Sequence, residues 1–86
     1  MWIIYVIQHD ETKDRYIGKT NNLKRRLFEH NRKHQNATRR IKGKWIVVYC
    51  EIFKSKEDAD ERELKLKHHG RSKQELFKRI KKSLDN

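Results

Sequence analysis

The sequence contains no proline, a single cysteine and only three glycines among its 86 residues. One cysteine rules out disulfides within the chain, and with them the class of small secreted scaffolds that disulfides hold together. Cys50 stands inside the apolar run WIVVYCEIF, so we expect it to be a packed side chain in a reducing compartment. Without proline or a low-complexity tract, nothing marks a linker between domains.

Long apolar runs are missing as well. The opening stretch MWIIYVIQ has eight residues, whereas a membrane-spanning helix takes about 20. It has neither a basic lead nor a small-residue cleavage site, so it is not interpreted as a secretion signal. We therefore expect no membrane partner, a cytoplasmic location, and a single small domain over residues 1–86.

Positive charge is abundant. Lysine and arginine number 23 against 12 acidic residues, which gives a formal net charge of +11. A field of this sign attracts polyanions, so nucleic acid is the leading partner class. A ribosomal or other RNA-binding protein and an anionic membrane surface are the alternatives. The membrane is less favoured because no helix pairs a long apolar face with a wholly basic one.

The first half of the chain has the pattern of a β-hairpin followed by a helix. Residues 2–8, WIIYVIQ, and residues 15–20, RYIGKT, have strand composition and are joined by a polar connection. The spacing of Leu23 and Leu27 then predicts a helix to about His34, with Asn21 or Asn22 as its N-cap. Residues 35–44 have no apolar period and are predicted to be a basic loop.

The second half predicts one strand and two helices. WIVVYCEIF is apolar at both parities, which favours an inner strand of the sheet. Ser55 begins a helix to about Lys67, and Gly70 is placed to end it in a left-handed conformation. Ser72 with Glu75 is typical of a capping box, opening a helix whose Leu76, Ile80 and Leu84 share a stripe. The predicted fold class is α+β: a small, mainly antiparallel three-stranded sheet flanked by helices, in the order ββαβαα.

Polar residues from several of these elements are expected to meet in one cleft. Tyr5 and Tyr16 lie on the two arms of the hairpin, and Arg26 and His30 share one face of the first helix. Glu63 shares a stripe with residues that point to the core. A glycine such as Gly18 at the end of a strand indicates either a simple strand exit or a close backbone approach by another group.

The blocks IIY at 3–5, YIG at 16–18, LKRRLFEH at 23–30 and EDADERELKLK at 57–67 together resemble the GIY-YIG nuclease domain. The closest resemblance is to short, stand-alone bacterial members similar to the nuclease domain of the UvrC excision repair subunit. It implies a metal-dependent endonuclease that hydrolyses DNA with Mg²⁺ or Mn²⁺ in repair or recombination. Low sequence specificity is expected, with a preference for single-stranded, branched or damaged DNA.

The resemblance also implies the site residues, which are Tyr5, Tyr16, Lys19, Arg26, His30 and Glu63. Glu63 is the expected metal ligand, and the Arg26 guanidinium is expected to bind the scissile phosphate through two parallel hydrogen bonds. Either tyrosine helps to deprotonate the attacking water, with Lys19 and Arg26 stabilising its phenolate. His30 positions a phosphate oxygen or moves a proton. A weaker alternative gives it a metal together with His34.

Further basic residues are expected to hold the nucleic-acid backbone without reading bases. They are Thr38, Arg39, Arg40, Lys42 and Lys44 in the loop, and Lys67, Arg71 and Lys73 near the third predicted helix. The other acidic residues of the second helix, Asp60 among them, are interpreted as solvated charges that favour its N-terminal dipole. Two other functions stay open: a nucleic-acid-binding module that cuts poorly, and an RNA-associated basic protein.

Overall fold

The structure, a computed structural model, describes residues 1–37 and 42–85, with side chains described over residues 1–32 and 42–85. Three strands and four helices follow one another along the described residues in the order β1 (Trp2–His9), β2 (Arg15–Thr20), α1 (Leu23–Ala37), β3 (Trp45–Phe53), α2 (Lys56–His68), α3 (Gly70–Arg79) and α4 (Lys81–Asp85). The predicted α+β class and element order are confirmed. The last predicted helix is divided into α3 and α4 at Ile80.

The sheet is antiparallel throughout, in the strand order β2-β1-β3. The predicted hairpin pairs Tyr5 with Gly18 and Ile7 with Tyr16. Its turn is closed by the His9 N–H, which donates to the Asp14 carbonyl at 2.8 Å. Because side chains alternate across a strand, Tyr5, Tyr16 and Gly18 lie on one face of the sheet.

The prediction that β3 is an inner strand is wrong. β1 is the central strand, and β3 pairs with it on one side only. Ile46, Ile52 and Cys50 of β3 are exposed, so the expectation that Cys50 is packed is also wrong. An apolar run at both parities reports strand propensity, and it does not say which strand receives a neighbour on each side.

The core lies between one face of the sheet and helices α2, α3 and α4. Ile4, Val6 and Ile17 of the sheet pack there against buried side chains of these helices, which are Ala59, Leu66, Leu76, Ile80 and Leu84. The predicted stripe of Leu76, Ile80 and Leu84 is thus confirmed. Tyr5 and Ile7 are buried on the opposite face, where Tyr5 meets α1.

Helices α1 and α2 begin where their caps predict. The Asn22 side-chain oxygen accepts from the Arg25 N–H at 3.1 Å, and the Ser55 hydroxyl accepts from the Asp58 N–H at 3.4 Å. These bonds satisfy amides that have no partner within the helix. α1 continues to Ala37, so the start of the predicted basic loop is helical.

Two predictions at the α2–α3 junction are wrong. Gly70 does not have a left-handed conformation, because it is the first residue of α3 and Gly43 has the positive φ. Ser72 and Glu75 form no capping box, since His69 is the N-cap and the Ser72 N–H donates to the His69 carbonyl. The capping-box signal placed the N-cap at Ser72, three residues after the true N-cap His69.

Among the helices that the structure describes, none combines the length and the apolar character needed to cross a bilayer.

Candidate active site

Gly18 provides the space in which the Tyr5 phenol lies. Tyr5 is only 1% exposed, and a Cβ on Gly18 would overlap its hydroxyl and ring carbon atoms. Gly18 has no positive φ, so its role is steric and not conformational. Of the two interpretations left open by the sequence, close approach is correct, and the approaching group is the chain's own Tyr5.

Three aromatic rings cluster where α1 crosses this face. Tyr5 Oη and His30 Nε2 are 3.0 Å apart, within hydrogen-bonding distance. The ring centres of Tyr16 and His30 are 4.8 Å apart, and those of Tyr5 and Tyr16 are 6.3 Å apart. Tyr16 is 38% exposed, so a bound molecule reaches the cluster from its side. The structure therefore brings both phenols and the imidazole together.

Arg26, one helical turn before His30, lies close enough to both phenols for its positive charge to act on them. Burial nevertheless raises the pKa of Tyr5 above its ordinary value of 10.0, and the opposing effect of Arg26 is smaller. The negative charge of Glu63 also raises it. In the free protein, Arg26 therefore favours a phenolate at Tyr5, but burial disfavours it more strongly, and the phenol is protonated at neutral pH.

Lys19 lies on the other face of the sheet from Tyr5, as alternation along β2 requires. It forms an ion pair with Asp60 and lies 3.8 Å from Glu63 Oε1. Hydrogen bonding to Lys19 lowers the pKa of the Asp60 carboxyl. Lys19 therefore contacts the acidic residues of the site on the face opposite Tyr5, and Asp60 is paired and is not the free solvated charge that the sequence indicated.

Glu63 lies beside the outer edge of β2, between two lysines. Its side chain is 22% exposed, and its Oε2 is 3.3 Å from Lys67 Nζ. The Lys67 ammonium also lies 5.5 Å from the centre of the Tyr16 ring. Lys67, predicted as a backbone-binding cation, thus connects the carboxylate with the aromatic cluster. This contact follows from the docking of α2 against β2, which the sequence does not display.

The donor set around Glu63 fits a weakly held hard cation. Within the part of the chain that the structure describes, no three His, Cys, Asp or Glu side chains form a group able to hold a metal. Mg²⁺ in proteins is often bound by only one or two carboxylates, with waters and substrate phosphates completing its shell. A single half-buried carboxylate is compatible with such an ion when nucleic acid is bound. The alternative of His30 with His34 involves a side chain outside the described residues.

The predicted backbone-binding residues have different environments. Thr38, Arg39 and Arg40 lie outside the described residues. Lys42 and Lys44 are exposed just before β3, where the Lys44 N–H donates to Asp10 Oδ1 at 2.9 Å. Arg71 points into solvent and pairs with Glu75, whereas Lys73 lines a groove beside Tyr16.

Asn31 supports the site and was missed by the sequence analysis. Its side-chain oxygen accepts from the Trp45 N–H at 2.7 Å, and its amide donates to the Trp45 carbonyl at 3.4 Å. This pair of bonds attaches α1 to the start of β3 next to His30. An asparagine on a basic helix looks like a surface residue in sequence, because its partner is on a distant strand.

Comparison with known proteins decides the family. Residues 1–77 match the family described as GIY-YIG catalytic domain. The chain belongs to the GIY-YIG family. This is a family of nuclease-type domains, so the match supports the superfamily predicted from the four sequence blocks and a catalytic domain of the nuclease type.

One relative is "Uncharacterized protein L300" of Acanthamoeba polyphaga mimivirus, 37% identical over 59 residues. The match covers 64% of this chain and 36% of that protein, so the GIY-YIG chain corresponds to about a third of the relative's length. No solved structure gives a significant match. The relative is viral, and neither comparison bears on a bacterial origin or on likeness to UvrC.

Proposed function

We propose that this GIY-YIG domain is a metal-dependent endonuclease that hydrolyses phosphodiester bonds in DNA. The observation that carries the proposal is the meeting of two groups of side chains at β2. Tyr5, Arg26 and His30 lie on one side of this strand, and Glu63 lies on the other side within electrostatic reach of Tyr5. The absent side chain of Gly18 leaves the space in which Tyr5 reaches this edge.

Arg26 is the proposed phosphate ligand. Its planar guanidinium offers two parallel N–H donors to two phosphate oxygens, a geometry that lysine does not reproduce. In the free protein the Arg26 guanidinium lies near the Tyr5 and Tyr16 phenols. A phosphate bound here would therefore lie next to both hydroxyls.

Proton removal is proposed to run through Tyr5 and His30. Because the Tyr5 phenol is protonated, it accepts a proton only as it gives up its own. In the relay, the attacking water passes a proton to Tyr5 Oη while the phenol proton moves to His30 Nε2, 3.0 Å away. His30 is suited to this role because imidazole gains and loses a proton near neutral pH. Tyr16, the more exposed phenol, is the alternative base.

Glu63 is the proposed ligand for Mg²⁺ or Mn²⁺. The ion would supply positive charge where negative charge develops on the phosphate. Lys19 and Lys67 hold the Glu63 carboxylate in place in the free protein. If a cation displaced one of these lysines from Glu63, a DNA phosphate would be a suitable new partner for that lysine.

The finer features of the function are proposals as well. Lys42, Lys44, Lys67, Arg71 and Lys73 are basic residues suited to the sugar-phosphate backbone, which carries no sequence information. Low sequence specificity, action on single-stranded, branched or damaged DNA, and a role in repair or recombination similar to that of UvrC are consistent with them. A cytoplasmic location is the matching compartment.

Glu63→Ala is the direct test. With Mg²⁺ or Mn²⁺ present, we expect the wild-type protein to nick plasmid and single-stranded DNA, and the variant to lose nicking while its DNA affinity stays nearly unchanged. Glu61→Ala is the matched control, since Glu61 is an exposed carboxylate on the same helix that pairs with Lys65. The control should nick as the wild type does. Undiminished nicking by Glu63→Ala would refute the metal assignment.

A catalytically weak nucleic-acid-binding module is the second candidate. It is favoured by the two lysines that already pair with Glu63. DNA binding by the wild type without cleavage under any divalent ion would establish this function. A panel of single-stranded, flap, junction and duplex substrates then separates the proposed DNA structures.

A further inference from the structure

An open groove adjoins the candidate active site along the outer edge of β2, between this strand and helices α2 and α3. Its volume is about 250 Å³. Tyr16 and Phe77 contribute aromatic rings to it, and the buried Ile17 and Leu66 contribute apolar surface. Pockets for drug-sized ligands measure about 300–1,000 Å³, so this groove suits a single flat ring system and not a larger molecule.

The charged side chains of the groove are all positive. Arg15, Lys67 and Lys73 line it, and none of its described lining residues is acidic. The Arg15 guanidinium lies 5.0 Å from the centre of the Phe77 ring, and its Nε donates to Gln8 Oε1 at 3.0 Å. Gln8 is itself buried. The planar Arg15 guanidinium is therefore held in place by the Phe77 ring and by its hydrogen bond to Gln8.

We propose that this groove binds one unpaired nucleobase of the DNA strand whose neighbouring phosphate lies at the candidate active site. Bases stack on aromatic rings and on arginine planes, and both are present here. Lys67 and Lys73 are placed for the adjoining phosphates, and Lys67 also contacts Glu63 and the Tyr16 ring. The position of the scissile phosphate rests on the proposed function, whereas base binding does not require cleavage.

The groove also explains how strand structure would be recognised without sequence. A base inside a duplex is stacked on both faces, so neither face is free to stack on a protein side chain. Every base has a flat face, so stacking tolerates any sequence. The domain is therefore expected to prefer single-stranded or splayed DNA through this subsite.

Binding to two strands of equal length and charge tests the proposal. One is oligothymidine, and the other carries the same sugar-phosphate backbone with every base removed. Fluorescence anisotropy is measured in low salt with a chelator, so that no cleavage takes place. Since stacking contributes about 1–3 kcal/mol per base, the wild type should bind the base-free strand at least about fivefold more weakly. Equal affinity for the two strands would overturn the proposal.

Arg15→Lys provides the residue-specific test, because it keeps the positive charge and removes the planar guanidinium on which a base would stack. We expect it to bind the base-free strand as the wild type does and to lose most of the preference for oligothymidine. Arg79→Lys is the control: Arg79 is exposed and follows Phe77 by two residues, which directs it away from the groove. Thermal unfolding of both variants checks that they are folded. A preference retained in Arg15→Lys and equal to that of the control would contradict the proposal.

The proposed base-binding groove and the proposed hydrolysis can be refuted independently of each other. Base-dependent binding in chelator, without nicking when Mg²⁺ or Mn²⁺ is added, supports the groove and overturns the proposed hydrolysis. Nicking together with equal affinity for the two strands supports the proposed hydrolysis and overturns the groove proposal.

Discussion

Gly18 determines where Tyr5 lies, and through Tyr5 it determines the arrangement of the candidate site. The sequence predicts that the YIG block is special, because glycine weakens strands and is rarely placed in one without reason. It does not predict that a tyrosine from the neighbouring strand fills the vacant space. That contact depends on the pairing of Tyr5 with Gly18, and strand register is decided by the whole hairpin and the core beneath it.

Gly18→Ala should therefore damage both stability and nicking. A Cβ at this position overlaps the Tyr5 hydroxyl and ring, and overpacking of this kind costs about 1–3 kcal/mol of unfolding free energy. Urea unfolding measures the loss, and plasmid nicking measures the displacement of Tyr5. Combining the substitution with Tyr5→Leu should restore part of the stability, since the smaller side chain leaves room. Strictly additive losses in the double variant would show that the two residues do not compete for this space.

The buried phenol of Tyr5 makes a specific contribution to the pH dependence of stability. Its pKa is raised in the folded protein, chiefly by burial, above the ordinary value of 10.0. A group of this kind stabilises the fold fully below the unfolded-state pKa, and the stabilisation is lost as the pH rises through the folded-state pKa. The free energy of unfolding should thus fall above about pH 10.

Tyr5→Phe isolates this contribution, because the raised pKa of Tyr49, caused by burial and by Glu51, is common to both proteins. The stability difference between wild type and variant should shrink as the pH rises from about 8 to about 11. Thermal unfolding at each pH provides the measurement. A difference that stays constant over this range would mean that Tyr5 titrates alike in the folded and unfolded states.

Elements whose ends carry local signals could be predicted, and their arrangement could not. The caps Asn22 and Ser55 mark the starts of α1 and α2, because a side chain bonds a nearby backbone amide. The edge position of β3 and the helical start at Gly70 depend on distant contacts. Gly70 resembles a helix terminator in sequence, yet α3 begins at this residue.

Alanine at the other two glycines distinguishes these interpretations. Gly70 lies at the start of a helix with open space where a Cβ would be, so Gly70→Ala should raise the free energy of unfolding by about 0.4–1 kcal/mol. Gly43 has a φ of 100°, and a Cβ there would overlap the side chains of Asp10 and Glu11, so Gly43→Ala should lower stability by more than that. Urea unfolding of the pair measures both. Destabilisation by Gly70→Ala would restore the left-handed cap that the sequence indicated.

The charge of the molecule acts on nucleic acid in two separable ways. The net charge of +11 creates a long-range field, to which every exposed cation contributes. Direct phosphate contacts are local and release condensed counterions, so they set the slope of affinity against salt. Composition establishes the field, but only the fold shows which cations stand near the candidate site.

Two double variants of equal charge separate these effects. Lys42→Ala with Lys44→Ala removes two exposed cations from the segment that bonds to the hairpin turn. Lys54→Ala with Lys82→Ala removes two exposed cations elsewhere. Each phosphate contact on a single strand contributes about −0.7 to the slope of log affinity against log salt. The first variant should therefore have a slope shallower by about 1.4 between about 50 and 200 mM salt, and the second should keep the wild-type slope.

Anisotropy titrations of oligothymidine over this salt range measure both slopes. If Lys42 and Lys44 bind phosphates, only their removal changes the slope, although the two variants have the same net charge. Equal slopes and equally weakened binding in both variants would mean that the segment contributes to the field alone. Among the described residues, the cations around Tyr16 and Glu63, such as Arg26, Lys67 and Lys73, would then be the candidates for the phosphate contacts.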